Sequence, residues 1–546
     1  MTKHKKLIEK KKRTYVVLAV LGIILANAAI YAFTHVEGAS YYGDDPNYLF
    51  LASGILHGTF VENPGYIFSV RLMSFMPIAF FYFLFGVSNL TSTLWNIVSY
   101  IGIVLVTFFL VRFFYDDKSA LISAFLASIF PIVTQFAVNI GEDVPLTFVT
   151  SLAVLFFVYA DKGKNRWQYF ASGVLLVVAW LISYEAAVVI LFVMIYALVE
   201  ILRKKIKIDK HSLFFIYGIV VAFTLTFIYS YINSGLPFIT ITTNLRFYSG
   251  VGGNVNNLPT IPTSNTDLSF YIKAMYSYSL TNKVLQSGNI ANGLKNVWDT
   301  IFALNNTAPY GLYFYFLIPM LVLFFVFERR SYFIVFWFAF VWLFLEFGPM
   351  HVGINLGTFQ ITYLLAHRLE RFLMPIAVPL CGIIGVGLSE FIKTKNRYLL
   401  ILGGTLMALI LGILYVNNYL ISTFWYNWQY FPESIAMQAA NYLRPHVLNS
   451  SIYVEALYND GAVSFTGALL PSYFGYPSDP RYYVVPSNAS CSSFPDTSYV
   501  VWSGNPSCDG FTNVLNLTVP NNIPQQIIIA EQPNLVYTPT NIYYVR

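Results

Sequence analysis

The feature that most constrains this chain is a series of apolar runs, each long enough to cross a lipid bilayer. A helix needs about 20 apolar residues to span the ~30 Å hydrocarbon core. Runs of about this length cover residues 15–33, 92–115, 119–138, 144–160, 168–183, 186–202, 211–232, 309–327, 331–348, 372–391 and 398–420. Only 11% of the residues are charged, against about 25% in a soluble globular protein. The sequence therefore predicts a polytopic α-helical membrane protein with about eleven transmembrane helices. It excludes a soluble enzyme, a disordered chain and a disulfide-rich scaffold.

The first 14 residues indicate the side on which the chain begins. They contain a cluster of Lys and Arg, and basic residues next to a span favour the cytoplasmic side. No small-residue cleavage site follows the first apolar run, so we expect an uncleaved helix. The formal charge of +6 does not indicate nucleic-acid binding, because the basic residues lie in short clusters between apolar runs.

One further apolar run, residues 66–86, decides the sidedness of everything that follows. If it stays outside, about 22 of the 32 Lys and Arg residues face the cytoplasm and about 10 face outwards. If it spans, the two sides receive about 16 each. The positive-inside rule therefore predicts that this run lies along the outer face, and Arg71 and Pro77 within it agree with that placement.

This topology divides the chain into a cytoplasmic N-terminus (1–14), a transmembrane domain (15–420) and an extracytoplasmic tail (421–546). The transmembrane domain has large outer loops at residues 34–91, 233–308 and 349–371. In the tail, periodicity predicts a small α/β domain. We expect a helix near residues 433–444, followed by strands in the runs SIYVEAL, RYYVVP, SYVVWSG and QQIIIAE.

The three cysteines are divided between the tail and the membrane. Cys491 and Cys508 lie in the tail, where an oxidising outer compartment would permit a disulfide between them. Two unpaired thiols are the alternative. Cys381 falls within a predicted span and is expected to be a small core residue.

Acidic residues at membrane boundaries are the first candidates for chemistry, since a carboxylate there needs a structural or functional reason. Three sets fall at predicted outer helix ends: Asp44 with Asp45, Glu142 with Asp143, and Glu185. Helix capping is the alternative for Asp45 and Asp143, because each lies close before a proline. Asp44 is freer to face a cavity, with a solvated loop position as its alternative. For Glu185, a solvated loop end and a cavity position are equally compatible with the sequence.

The basic counterpart is the last outer loop, which concentrates His367, Arg368 and Arg371 just before a span. A guanidinium stays charged in a low-dielectric site and matches phosphate oxygens, so these arginines can bind a lipid phosphate. Snorkelling or an ion pair with Glu370 is the alternative. We see no P-loop, dinucleotide fingerprint or metal-binding Cys/His spacing.

In order and topology, residues 15–420 resemble the GT-C superfamily of membrane glycosyltransferases. In particular, they resemble the protein O-mannosyltransferase and aminoarabinose transferase branch, which uses polyprenyl-phosphate-linked sugars. Four motifs carry the resemblance: Gly43-Asp44-Asp45-Pro46-Asn47-Tyr48, the segment from Asn63-Pro64-Gly65 to Phe85-Gly86, Asp143-Val144-Pro145-Leu146, and Arg371-Phe372-Leu373-Met374-Pro375. Asp45 replaces the Glu that is usual in the family. Where some relatives place a basic residue, this chain has Ser183-Tyr184-Glu185. The tail has no Trp-Trp-Asp-type motif, which counts against an oligosaccharyltransferase.

The resemblance implies a glycosyltransferase that takes a sugar, mannose or a similar hexose, from a dolichyl- or polyprenyl-phosphate donor at the outer face. The acceptor would be a hydroxyl of a protein, glycan or lipid, and the reaction would invert the anomeric carbon. Expected catalytic acids are Asp44, Asp45, Glu142 and Asp143, and expected lipid-phosphate ligands are His367, Arg368 and Arg371. Asp44 is the first choice for the base and Asp143 the second. No nucleotide or metal is required, although Asp44 and Asp143 could hold a divalent cation.

A transporter or a flippase for lipid-linked sugars is the alternative from another functional class. Such proteins place ionisable groups near the middle of the membrane and show two related halves. Here the acids and arginines collect at one predicted face, and half of the outer mass is asymmetric loop and tail. The sequence therefore favours an integral multi-pass membrane enzyme with a cytoplasmic N-terminus and an extracytoplasmic tail.

Overall fold

The structure is a computed structural model in which each of the eleven predicted apolar runs coincides with helical structure. It describes residues 3–36, 45–63, 66–203, 211–248, 310–327, 331–347, 349–355, 360–365, 370–393, 396–443, 445–446, 450–456, 482–486, 490–503, 508–517 and 540–545. The first helices are α1 Lys3–Thr34, α2 Asp45–Leu56, α3 Leu72–Phe85, α4 Asn89–Phe114, α5 Asp117–Ser128, α6 Pro131–Ala137, α7 Asp143–Gly163 and α8 Arg166–Ile182. The later helices are α9 Ala186–Leu202, α10 Leu213–Ser234, α11 Ile239–Tyr248, α12 Tyr313–Phe327, α13 Phe333–Phe347, α14 Ala377–Glu390 and α15 Arg397–Leu443.

The number of membrane crossings is the part of the fold prediction that stays open. Among the described residues, six helices are long and apolar enough to span a membrane, or seven if a bent pair counts as one span. The bent pair is α5 with α6, and the two helices meet at 56°. Residues 119–138 were predicted as one helix. They form two, because Pro131 lacks an amide hydrogen and disfavours helical geometry in the residue before it.

Polar contacts at the helix ends gather the predicted cytoplasmic residues on one side of the bundle, which we call the basic face. The Tyr115 hydroxyl donates to the Ser331 carbonyl at 2.7 Å, and Lys393 Nζ lies 2.9 Å from an Asp116 carboxylate oxygen. Lys162 Nζ lies 4.8 Å from the centre of the Phe113 ring. The ends of α4, α7 and α14 therefore lie on the same side as the start of α5. That the basic face is cytoplasmic stays a prediction.

The opposite side, where α4 and α7 begin and α8 ends, carries Glu142 and is called the acidic face. Both ends of α3 contact this face. Near its start, the Ser74 hydroxyl donates to the Ile182 carbonyl at 3.0 Å. Near its end, the Tyr82 hydroxyl lies 2.6 Å from Ser92 Oγ. With 14 residues, α3 is about 21 Å long, too short to cross the hydrocarbon core directly. Its placement agrees with the predicted run that lies along one face.

Small residues allow close helix crossings inside the bundle. A Cβ on Gly173 of α8 would lie 2.2 Å from the Phe215 carbonyl oxygen of α10. A Cβ on Gly218 of α10 would lie equally close to the Phe170 carbonyl oxygen of α8. Such reciprocal contacts are typical of membrane helices, whose association depends on packing rather than on the hydrophobic effect.

Two β-structures complete the described fold. The predicted loop 349–371 contains an antiparallel hairpin, β1 Pro349–Asn355 with β2 Gln360–Leu365. The tail contains a five-stranded sheet in the order β4-β3-β5-β7-β6. Its strands are β3 Ile452–Ala456, β4 Tyr482–Pro486, β5 Tyr499–Ser503, β6 Phe511–Leu517 and β7 Thr540–Val545. β3 is parallel to β4 and β5, whereas β7 is antiparallel to β5 and β6.

The tail prediction is confirmed in part. Three predicted strands correspond to β3, β4 and β5, and Cys491 and Cys508 form the predicted disulfide. Cys381 is a buried free cysteine, as expected. The predicted strand QQIIIAE lies outside the described residues. The helix predicted near 433–444 is not separate, because it is the end of α15, which continues unbroken from the membrane region.

Candidate active site

The predicted acids fall partly within the described residues. Glu142 and Asp143 are described with their side chains, and both are only 2% exposed. Asp45 is the first residue of α2. Only the backbone position of Asp45 is described. Asp44 lies outside the described residues. The positions of Asp44 and Asp45 relative to Glu142 and Asp143 are therefore inferred from the contacts of neighbouring residues in the sequence.

A buried contact network brings the two acidic motifs together. The hydroxyl of Tyr48, one helical turn after Asp45 in α2, donates to Glu142 Oε2. Arg71 Nη1 forms an ion pair with the same oxygen and donates to the Tyr48 hydroxyl oxygen at 3.1 Å. The side chains of Arg71 and Glu142 are 8% and 3% exposed. The network thus connects α2, the residue before α3 and the residue before α7.

This network changes the role expected for Glu142. Glu142 Oε2 already accepts from both the buried Arg71 guanidinium and the Tyr48 phenol. It is therefore poorly suited to accept a proton from a substrate. These contacts favour a role for Glu142 in positioning the turn before α7, and its catalytic role stays a prediction.

Asp143 is the described acid best placed for chemistry. It is the first residue of α7, where the helix dipole stabilises a negative charge. The helix-capping position belongs to Glu142, whose side chain makes no capping hydrogen bond. A Cβ on Gly141 would lie 4.0 Å from both Asp143 Oδ2 and Asn96 Nδ2. The Asp143 carboxylate and the Asn96 amide of α4 therefore both lie beside Gly141.

The basic loop is less completely described. His367 and Arg368 lie outside the described residues. Arg371 belongs to a 3-10 segment, Glu370–Ile376, and only its backbone position is described. This segment packs against α6, α7 and α13. From there α14 runs to the basic face, where Lys393 meets Asp116. Arg371 is therefore at the other end of α14, on the same face as Asp143.

Comparison with a protein family supports a transferase. A family model of dolichyl-phosphate-mannose-protein mannosyltransferases matches residues 70–230. The match covers less than half of the chain, and it includes Arg71, Glu142 and Asp143. No curated protein matches the chain significantly.

Solved structures match over almost the whole chain. ArnT from Cupriavidus metallidurans in the apo state is 12% identical, with a TM-score of 0.51, and the match covers 97% of this chain and 98% of ArnT. ArnT bound to undecaprenyl phosphate is 14% identical, with a TM-score of 0.50 and the same coverage. The oligosaccharyltransferase of Archaeoglobus fulgidus tethered with an acceptor peptide is 12% identical, with a TM-score of 0.52. That match covers 90% of this chain and 69% of the oligosaccharyltransferase.

The chain has the GT-C fold. Both kinds of matching structure are GT-C membrane glycosyltransferases. They confirm the fold implied by the four motifs, and the family match over residues 70–230 supports the enzyme class that it implies, a membrane glycosyltransferase. The helical membrane part with a small C-terminal sheet is likewise confirmed.

Within the GT-C frame, sequence reasoning missed the roles of Arg71 and Tyr48. Arg71 was interpreted as a sign that its run does not span, although a lone arginine in an apolar run also needs a partner. Tyr48 lies in the first acidic motif, but its residue type alone does not indicate that it binds Glu142. Glu185, for which two environments were open, is 6% exposed and therefore buried.

A further buried acid, Glu62, lies outside the predicted site residues. It is 2% exposed, and its Oε1 accepts a hydrogen bond from the Ser230 hydroxyl of α10 at 3.2 Å. Burial raises the pKa of Glu62 to about 7. The Glu62 amide also donates to Asn233 Oδ1 at 2.7 Å. This junction ties the loop after α2 to the end of α10.

No metal-binding group of three or more His, Cys, Asp or Glu side chains occurs among the described residues. The pair considered for a divalent cation, Asp44 and Asp143, includes a residue outside them. A divalent cation held by Asp44 and Asp143 stays a prediction.

Proposed function

We propose that this GT-C chain transfers a sugar from a polyprenyl-phosphate donor to an acceptor hydroxyl at the acidic face. The family match to dolichyl-phosphate-mannose-protein mannosyltransferases supports mannose or a similar hexose. The structure of ArnT bound to undecaprenyl phosphate, which shares this fold, supports a polyprenyl-phosphate carrier. The acidic face is proposed to be extracytoplasmic, since the positive-inside rule assigns the basic face to the cytoplasm.

The proposed reaction is a direct displacement. The acceptor oxygen forms a bond to the anomeric carbon while the bond from that carbon to the phosphate oxygen breaks, so the anomeric configuration inverts. The acceptor proton passes to a carboxylate, and the bonding electrons leave with the lipid phosphate. The reaction therefore needs a base on the acceptor side and a cation on the phosphate side.

Asp44 is proposed as the base, with Asp143 as the second carboxylate that orients the acceptor or shares the proton. The observation that carries this assignment is the hydrogen bond from Tyr48 to Glu142. It joins the helix that follows Asp44 to the turn that precedes Asp143. Two acidic motifs that are about 100 residues apart in the sequence thereby meet at one site, as a shared role in one reaction requires.

Arg371 is proposed to stabilise the departing phosphate, with Arg368 and His367 as additional donors. Arg71 is also cationic, but its charge is already engaged by Glu142. The proposal therefore gives Arg71 a positioning role and leaves the phosphate to the last outer loop. A cation that interacts more strongly with the departing phosphate than with the intact donor accelerates the chemical step.

The direct test is sugar transfer by the purified chain in lipid vesicles supplied with polyprenyl-phosphate-linked mannose and other hexoses. Asp44→Asn and Arg371→Gln should each abolish transfer, because each removes one side of the displacement. Asp161→Asn is the matched control, since Asp161 pairs with Lys164 at the basic end of α7 and should not affect transfer. Full activity of Asp44→Asn would remove Asp44 from the mechanism.

The donor and acceptor are identified most directly from cells that lack this chain. Mass spectrometry of their glycoproteins, glycans and glycolipids should show one missing sugar at a defined hydroxyl. An unchanged sugar inventory, together with accumulation of a lipid-linked sugar on one side of the membrane, would instead indicate a flippase.

A further inference from the structure

The helix that carries the tail makes little contact with the bundle through its membrane part. Only 11% of the membrane window in Arg397–Thr423 of α15 is buried. Gly403 approaches the Phe391 carbonyl near the basic face, and Ile410 and Leu414 reach the core. Near the acidic face, the attachment of α15 changes from apolar to polar.

The polar attachment is a cluster between α15 and α6. The Thr134 hydroxyl of α6 lies 2.8 Å from Asn418 Oδ1 and 3.1 Å from Ser422 Oγ. The Ser422 hydroxyl in turn donates to Asn418 Oδ1 at 3.2 Å. Thr134, Asn418 and Ser422 are 1%, 7% and 5% exposed. Buried polar contacts of this kind fix the relative register of two membrane helices.

The neighbouring asparagine holds a third element. Asn417 Oδ1 accepts the backbone N–H of Leu312, at the start of α12, at 3.0 Å. A Cβ on Gly311 would lie 2.2 Å from Asn417 Oδ1, and Gly311 has a φ of +54°. A glycine is therefore required at position 311, because a Cβ would clash with the Asn417 side chain and because L side chains rarely adopt this positive φ. We call Asn417, Asn418, Ser422 and Thr134 the asparagine clamp.

One side of the asparagine clamp leads to the candidate active site. Thr134 lies in α6, which ends three residues later, and the turn that contains Glu142 follows. The carbonyl of Phe136, also in α6, accepts a hydrogen bond from Asn96 Nδ2 at 3.1 Å. A Cβ on Gly141 would lie 4.0 Å from Asn96 Nδ2 and 4.0 Å from Asp143 Oδ2. Asn96 thus connects α6, through its hydrogen bond to Phe136, to the turn at Gly141 that precedes Asp143.

The other side of the clamp leads to the tail. α15 continues without a break for 25 residues beyond Asn418, to Leu443, about 38 Å at 1.5 Å per residue. Ala439 and Leu443 at its end pack with Ile452, Val501 and Ile542 of the sheet. A helix that is fixed in the bundle and packed on the sheet transmits its position to the tail.

We propose that the asparagine clamp positions the tail domain over the candidate active site and so sets where the acceptor meets Asp143. This inference rests on the proposed function, since it presumes that the tail helps to present the acceptor. The clamp residues are positioning residues, because none of them is placed in contact with the reacting atoms.

The proposal predicts a specific kinetic effect. Thr134→Val removes the hydroxyl at nearly constant volume and leaves Asn418 without one of its partners. It should lower kcat for transfer by about 3- to 10-fold, the effect expected from losing one interhelical hydrogen bond. The KM for the lipid-linked donor should change less than twofold. Thr134→Ser keeps the hydroxyl and should restore most of kcat.

The matched control is Thr405→Val, the same change on the exposed side of α15. It should leave both kinetic constants unchanged. A wild-type kcat in Thr134→Val, or an equal loss in Thr405→Val, would overturn the positioning role. If the wild-type chain transfers no sugar, the proposed function fails, and the clamp must then be judged by structure.

A distance measurement supplies that structural test. In a Cys381→Ser background, spin labels at Asn63→Cys, on the loop after α2, and Asp509→Cys, in the tail, report the tail position. The wild-type clamp should give a narrow distance distribution. Thr134→Val should broaden or shift it, whereas Thr405→Val should not. An unchanged distribution in Thr134→Val would contradict the clamp, whatever the activity of the enzyme.

Discussion

Replacing Arg71 with methionine is expected to be among the most destabilising single changes in the membrane part of this chain. Arg71→Met leaves the Glu142 carboxylate buried without its cation, and only the Tyr48 hydroxyl remains to satisfy it. It also removes a contact in which the guanidinium carbon lies 5.4 Å from the centre of the Phe68 ring. The cost is therefore dominated by an uncompensated buried charge.

The magnitude follows from burial. Removing one partner of a buried ion pair costs about 3–5 kcal/mol, and the side chains of Arg71 and Glu142 are only 8% and 3% exposed. The pair between Arg112 and Asp117 provides the comparison, since its side chains are 40% and 20% exposed. An ion pair with that exposure contributes about 0–1 kcal/mol. Arg112→Met should therefore cost a small fraction of the loss caused by Arg71→Met.

The assay is reversible unfolding in mixed micelles, followed by tryptophan fluorescence. The double variant Arg71→Met with Glu142→Gln should lose less stability than the sum of the two single variants, by about 0.5–3 kcal/mol. Arg112→Met is measured alongside as the control at the basic face. If Arg71→Met is no more destabilising than Arg112→Met, the buried network does not hold α2 against α7.

Three further predictions concern other parts of the chain. Because burial raises the pKa of Glu62 from 4.5 to about 7, the folded state retains this proton more strongly than the unfolded state. The free energy of unfolding should therefore fall as pH rises through that window, by up to about 3 kcal/mol at about 1.4 kcal/mol per pKa unit. Glu62→Gln should remove this component when the two pH profiles are compared. Gly173→Ala should destabilise the bundle by about 1–3 kcal/mol, because its Cβ would meet a backbone oxygen of α10 at 2.2 Å. Gly412→Ala, with nothing within 4 Å, should stabilise by up to about 1 kcal/mol in the same unfolding assay. Reduction of the Cys491–Cys508 disulfide, which links residues 17 apart, should lower tail stability by about 3 kcal/mol and speed proteolysis there, whereas unchanged proteolysis would contradict a stabilising role.

Hydropathy was sufficient to locate the membrane helices because a span must be apolar along its whole length. Each predicted run coincides with helical structure, including the run at 66–86 that charge counting placed along one face. The same signal does not reveal a break within an apolar run. The bend between α5 and α6 depends on Pro131, whereas the length and hydropathy of the run alone predict a single helix. The strands β6 and β7 were missed because their alternation is interrupted by polar residues.

The candidate site was predictable only as a set of charged positions. Sequence position gives the helix end on which Glu142 and Asp143 lie, but not the partner of Glu142. Arg71 is 71 residues away from Glu142 in the sequence, and their contact depends on α3 lying along the acidic face. The sequence does not predict the asparagine clamp, because it does not identify the hydrogen-bond partners of an Asn or Thr inside an apolar helix. Those partners depend on how the helices pack.

The central claim is that the acidic motifs and Arg371 lie on one side of the membrane. Single cysteines at Asn63 and Arg371, and at Lys118 on the basic face, test this in a Cys381→Ser background. A membrane-impermeant maleimide added to intact cells should label Asn63→Cys and Arg371→Cys directly, and Lys118→Cys only after permeabilisation. Labelling of Asn63→Cys and Arg371→Cys from opposite sides would mean that the base and the phosphate cation cannot act on one donor.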